Sequence, residues 1–87
     1  MKTDAEIRDT LRKFVIENFL MGDGSAMPAD DQSFLETGTI DSIGALELVE
    51  FLEGALGIQV KDTDLVRDNL DSVDNLARFV GRRLVGG

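Results

Sequence analysis

The sequence predicts an all-α fold: a small antiparallel bundle of four helices, three long and one short, with a long loop between the first and second. Three observations predict it. Apolar residues recur every three to four positions in three separate stretches, the spacing that lines one face of a helix. Those stretches carry helix-cap residues at their ends. Ile58-Gln59-Val60 is too short to support a sheet by itself. At 87 residues the chain supports a single domain over 1–87.

The first helix is expected over about 3–20. Thr3 followed by Glu6 has the form of a capping box, and Ile7, Leu11, Phe14 and Val15 form its apolar face. Met21-Gly22-Asp23-Gly24 ends it. The link from Gly22 to Ile40 is longer than most connections in small domains, so it is either functional or hides a helical turn. Pro28 followed by Ala29-Asp30-Asp31 could start such a turn, with Phe34, Leu35 and Ile40 tucking onto the bundle. The second helix, over 42–56, opens at Asp41 or Ser42 and ends at Leu56 with Gly57 as its cap. Ala45, Leu48, Val49, Leu52, Ala55 and Leu56 share its core face. A short third helix is expected over 62–68. The last, over 72–84, starts at Asp71 or Ser72 and turns Val73, Leu76, Ala77, Val80 and Leu84 inward.

Composition removes several chemistries. There is no Cys or His, which excludes disulfides, a catalytic thiol, a Ser-His-Asp triad and a His-ligated zinc. No signal peptide or membrane span is read, and the expected location is cytoplasmic. A net charge of −8 argues against nucleic acid and anionic membranes as partners.

That charge is not spread evenly. Between Phe14 and Val60 there is no Lys or Arg, but nine acids: Glu17, Asp23, Asp30, Asp31, Glu36, Asp41, Glu47, Glu50 and Glu53. The two flanks nearly cancel. On the second helix Glu47, Glu50 and Glu53 form an acidic stripe opposite the core face, with no base three or four residues away. A charged stripe is ordinarily a solvated face; here it is also a candidate docking surface for a basic partner. Ile43 and Leu46 fall within the same arc, as scattered surface apolars or as an anchor inside the acidic ring.

Ser42 stands at the head of this helix. Its plain structural role is an N-cap, which Asp41 could fill equally well. Its functional role would be to carry a phosphate-linked group, which suits the free N–H groups and positive dipole end of a helix N-terminus. Asp41 is then a candidate for holding a metal or orienting the hydroxyl during attachment.

Gly38-Thr39-Ile40-Asp41-Ser42-Ile43-Gly44, followed by Leu46-Glu47-Leu48-Val49, resembles the attachment motif of the acyl carrier and peptidyl carrier protein family. The likeness runs from about Phe34 to Val80, through Leu56-Gly57-Ile58 and Asp71-Ser72-Val73-Asp74-Asn75-Leu76. The resemblance implies that a phosphopantetheinyl transferase uses magnesium to move 4′-phosphopantetheine from coenzyme A to Ser42. The arm's thiol would then hold an acyl or aminoacyl group as a thioester. The protein would be a monomeric, non-enzymatic carrier serving a loading ligase and downstream enzymes. Asp41, Ile43, Leu46, Glu47, Glu50 and Glu53 would contact those partners, and no resident metal is expected. Gly44 stands where fatty-acid-synthesis carriers commonly have Asp, Lys61-Asp62 replaces a Pro-containing lead into the third helix, and the Gly22–Ile40 loop is long. These departures point to a free-standing carrier of a specialised pathway.

Two other readings compete. A helical adaptor binding a basic partner through its acidic face shares every feature except a modified Ser42. The tail Arg82-Arg83-Leu84-Val85-Gly86-Gly87 resembles that of ubiquitin-like and sulfur-carrier proteins, but those need a β-grasp fold and this N-terminus reads as helix.

Overall fold

Thr3 and Glu6 form the expected capping box: Thr3 Oγ1 accepts the Glu6 N–H at 3.2 Å and Glu6 Oε1 accepts the Thr3 N–H at 3.3 Å. From there α1 (Asp4–Phe19) buries Ile7, Leu11 and Val15, with Phe14 packed at the edge of the core. The helix stops where Met21 and Gly22 enter the left-handed region and the Gly22 N–H reaches back to the Ile16 carbonyl at 2.9 Å. The computed structural model describes residues 3–86, with side chains through Leu84. The glycine tail weighed above therefore ends outside the described residues.

The long link is structured throughout. It holds a 3-10 turn over Gly24–Ala26 and a one-turn helix, α2 (Phe34–Thr37). After Pro28 the chain makes a single turn and no helix: the Gln32 N–H bonds to the Ala29 carbonyl at 3.0 Å and Gln32 Oε1 accepts the Ala29 N–H at 2.8 Å. Phe34 and Ile40 are buried as expected, whereas Leu35 is exposed. Midway, Asp30 is gripped by Arg8 at 3.0 Å and by both Arg12 Nε, at 2.9 Å, and Arg12 Nη2. Its backbone carbonyl accepts the Asp74 N–H. One carboxylate thus fastens the link to α1 and its carbonyl fastens it to the start of the last helix. The Arg12 guanidinium, opposed by partial burial and helped by Arg8, holds the Asp30 carboxyl below the usual carboxylate range.

α3 (Ser42–Leu56) buries Leu48, Leu52 and Leu56 and half-buries Ala45 and Val49. Ala55, expected inside, is exposed: it lies at the margin of the apolar arc. Gly44, not expected inside, is buried. Phe14 stacks on Phe51 with ring centroids 4.1 Å apart, joining α1 to α3.

The short third helix is corrected. Residues 62–68 do not form one helix but a 3-10 turn over Asp62–Asp64 followed by α4 (Arg67–Leu70). Asp64 divides them. Its carboxylate takes the Lys61 N–H at 2.9 Å and pairs with Arg83, while its carbonyl accepts the Val66 N–H at 2.8 Å. Val66 is left extended, and α4 starts afresh behind it.

α5 (Val73–Gly86) is capped by Ser72, whose Oγ accepts the Asn75 N–H at 3.0 Å. Val73, Leu76, Ala77 and Val80 are buried as read; Phe79 is buried too, and Leu84 is 37% exposed. Leu84 lies in the last turns of the helix, one turn beyond the buried Val80. Among the described residues the fold is five α-helices without a strand, three of them long, and no helix is long and apolar enough to cross a membrane.

Candidate functional site

The approach to Ser42 is set by a chain of local constraints. Ser33 caps α2, its Oγ accepting the Glu36 N–H at 3.1 Å. Gly38 then ends α2 at φ +74°, a conformation costly for a side-chain-bearing residue. Ile40 buries its side chain and donates its N–H to the Phe34 carbonyl at 3.3 Å. This anchor leaves Asp41 extended at the head of α3.

Asp41 is the N-cap. Its Oδ1 accepts the Gly44 N–H at 2.7 Å, so the cap role open to either residue falls to Asp41. Ser42 becomes the first helical residue. It is exposed, and among the described residues its hydroxyl makes no hydrogen bond. The N–H groups of Ser42 and Ile43 have no acceptor within the helix, as for any first turn, and the dipole of a 15-residue helix begins there. The site is therefore an accessible hydroxyl beside a carboxylate, over N–H donors that favour an anion.

A cleft of about 240 Å³ opens beside this hydroxyl. Among its apolar lining residues Phe34, Ile40 and Leu48 are buried, and Leu35, Leu46, Leu65 and Val66 are exposed. Sequence periodicity did not reveal it, because its walls come at once from α2, α3, α4 and the segments that flank them. The apolar pair Leu65-Val66 was the available signal. A continuous helix through it would have hidden it.

Asp71 ties those walls together. Its Oδ1 accepts the Leu35 N–H at 3.0 Å, its Oδ2 accepts from Ser33 Oγ and from Arg67 Nη2 at 2.9 Å, and its carbonyl accepts the Phe34 N–H at 2.7 Å. Burial pushes the Asp71 carboxyl up, but the bonds from Ser33, Leu35 and Arg67 together hold it below its ordinary value.

The exposed face of α3 carries the other expected residues. Ile43 is 74% and Leu46 58% exposed, so the helix leaves both outside the core. Glu47, Glu50 and Glu53 are exposed along the same helix. They differ in one respect. Glu53 Oε2 accepts the Val60 N–H at 3.2 Å, holding the segment after α3, while Glu47 and Glu50 have no hydrogen bond or ion pair among the described residues.

A family model of the phosphopantetheine attachment site matches residues 15–80, about three quarters of the chain. The chain belongs to this family. Its matched span starts within α1 and ends within α5, so it takes in the long link, the Asp41-Ser42 pair and every wall of the cleft. No curated protein and no solved structure matches the chain. The matched domain is where 4′-phosphopantetheine is covalently attached, and the local chemistry fits that group: an unengaged hydroxyl, helix-terminal N–H donors for its phosphate, and a neighbouring cleft.

Proposed function

We propose that Ser42 Oγ is the point of 4′-phosphopantetheine attachment, and that the chain is a carrier for an acyl or aminoacyl group in a specialised pathway of the cytoplasm. One observation carries the assignment: Asp41 takes the cap duty and frees the Ser42 hydroxyl at the head of α3. In the attachment step Ser42 Oγ gives its proton to a base of the transferase and bonds to the phosphorus on the pantetheine side of coenzyme A, while the bond between coenzyme A's two linked phosphates breaks and adenosine 3′,5′-bisphosphate leaves. Asp41 stands where it could orient that hydroxyl or hold the transferase's magnesium.

The bound arm supplies a terminal thiol that holds cargo as a thioester, a group this cysteine-free chain lacks. Everything else falls to the chain's own surface. Ile43 and Leu46 offer apolar contact, and Glu47 and Glu50 offer charge without an internal partner, to basic patches on the transferase, the loading ligase and later enzymes. Catalysis belongs to those enzymes; the carrier acts as a monomer.

Incubation with coenzyme A, magnesium and a broad-specificity phosphopantetheinyl transferase, followed by intact mass measurement, tests this. A gain of roughly 340 Da, for one phosphate-linked arm, is expected in the wild type and not in Ser42→Ala. An unmodified wild type, beside a control carrier that is modified, would leave the helical adaptor instead.

A further inference from the structure

We propose that Arg67 is a positioning residue for the arm, pairing through its guanidinium with the phosphodiester on Ser42 and so drawing the arm's first segment along the cleft; this rests on the attachment proposed above. A phosphodiester on Ser42 adds a negative charge beside Asp41, in a stretch from Phe14 to Val60 that contains no base. Ser42 and Arg67 line the same cleft, and Arg67 is the one basic residue among those that line it. Its side chain is 61% exposed, so an anion arriving from solvent can reach it.

The guanidinium is already oriented. Nε and Nη2 both bond to Asp71 Oδ2, at 3.2 and 2.9 Å, and Nη2 bonds to Ser33 Oγ at 3.2 Å. Nη1 makes no hydrogen bond among the described residues. A planar fork held along one edge keeps its remaining donors for a second oxyanion, which the ammonium of a lysine would not do in the same way. Arg8, Arg12 and Arg83 pair with carboxylates elsewhere, and none of them lines the cleft.

The test compares apo and holo wild type at low salt, using side-chain Nε–Hε resonances of the arginines and the ³¹P resonance of the holo form. Attachment should displace the Arg67 Nε–Hε signal more than those of Arg78 and Arg82. Arg67→Gln should move the ³¹P resonance most of the way toward its position in urea-unfolded holo protein. Arg67→Lys should move it less, and Arg78→Gln not at all. Added salt should move the wild-type resonance in the same direction as Arg67→Gln, since an exposed pair is screened over about 10 Å at 0.1 M. A holo protein whose Arg67 signal is unchanged from apo, or whose ³¹P resonance ignores Arg67→Gln, overturns the role of Arg67 and leaves attachment standing. A wild type that gains no arm overturns both. The wild-type arginine signals need no variant to fold.

Discussion

Gly44 on α3 lies so close to Phe19 on α1 that a Cβ added to it would stand 2.8 Å from Phe19 Cε1, and 3.0 Å from Ile40 Cγ2. Real Cβ atoms essentially never approach as closely as 2.8 Å, so a side chain at residue 44 would require the Phe19 ring to shift and would crowd Ile40. This gives a physical reason for glycine where fatty-acid-synthesis carriers commonly have Asp. The contact also lies within one turn of Asp41 and Ser42, at the head of α3. Gly44→Ala should destabilise the fold by about 1 kcal/mol, with an overpacking cost of about 1–3 kcal/mol outweighing the helix-propensity gain of about 1 kcal/mol. Thermal unfolding checks this, and Phe19→Leu should reduce the cost when combined with it.

Substitution of Asp41 separates its cap from its chemistry. Asp41→Ala removes the 2.7 Å bond to the Gly44 N–H and should cost about 1 kcal/mol. Asn caps as well as Asp, so Asp41→Asn should keep the unfolding midpoint. Its rate of modification by the transferase should still fall several-fold. Equal rates for Asn and Asp would reduce Asp41 to a cap.

Acid should loosen the long link through Asp30. Its folded pKa lies below the unfolded value of about 3.9, so its contribution is present above about pH 4 and is lost as pH falls through the lower folded value. Asp30→Asn should lower stability at neutral pH by on the order of 1–2 kcal/mol and flatten the fall in stability on acidification below about pH 4. Asp71 contributes an acid-labile part of the same sign, so the flattening is partial.

The acidic stripe divides by its internal bonding, which Glu53 has and Glu47 and Glu50 lack among the described residues. Glu47→Lys with Glu50→Lys should slow modification at low salt and leave unfolding unchanged, because neither side chain has an internal partner among the described residues. Glu53→Ala should instead lower stability by a few tenths of a kcal/mol through loss of the Val60 contact, with a smaller effect on modification. If the double reversal is modified at the wild-type rate, the stripe serves solvation alone.

How much of this could be read from the residues follows from the range of each interaction. Thr3–Glu6, Gly57 and the faces Ile7-Leu11-Val15 and Leu48-Leu52-Leu56 depend on neighbours within a few positions, and the structure has them as read. The exposure of Ile43 and Leu46 followed from the same periodicity. Burial of Gly44 did not, since it depends on Phe19, twenty-five residues earlier. The break between 62–64 and 67–70 turns on Asp64 meeting Arg83, and the order in the Gly22–Ile40 link on Asp30 meeting Arg8, Arg12 and Asp74. Periodicity carries no trace of such pairings. The cap assignment was open in sequence because Asp and Ser are both good N-caps; Ile40, by anchoring the backbone one residue earlier, decides it.

The central claim is that one hydroxyl, Ser42, receives the arm. Cleavage at Lys13 and Lys61 releases a peptide from Phe14 to Lys61 that also contains Ser25, Ser33, Thr37 and Thr39. Fragmentation of that peptide from the transferase-treated wild type locates the added mass. The account predicts the whole gain on Ser42, with the other hydroxyls unmodified. A gain on Ser33 or Ser25, or the same gain in Ser42→Ala, would contradict it.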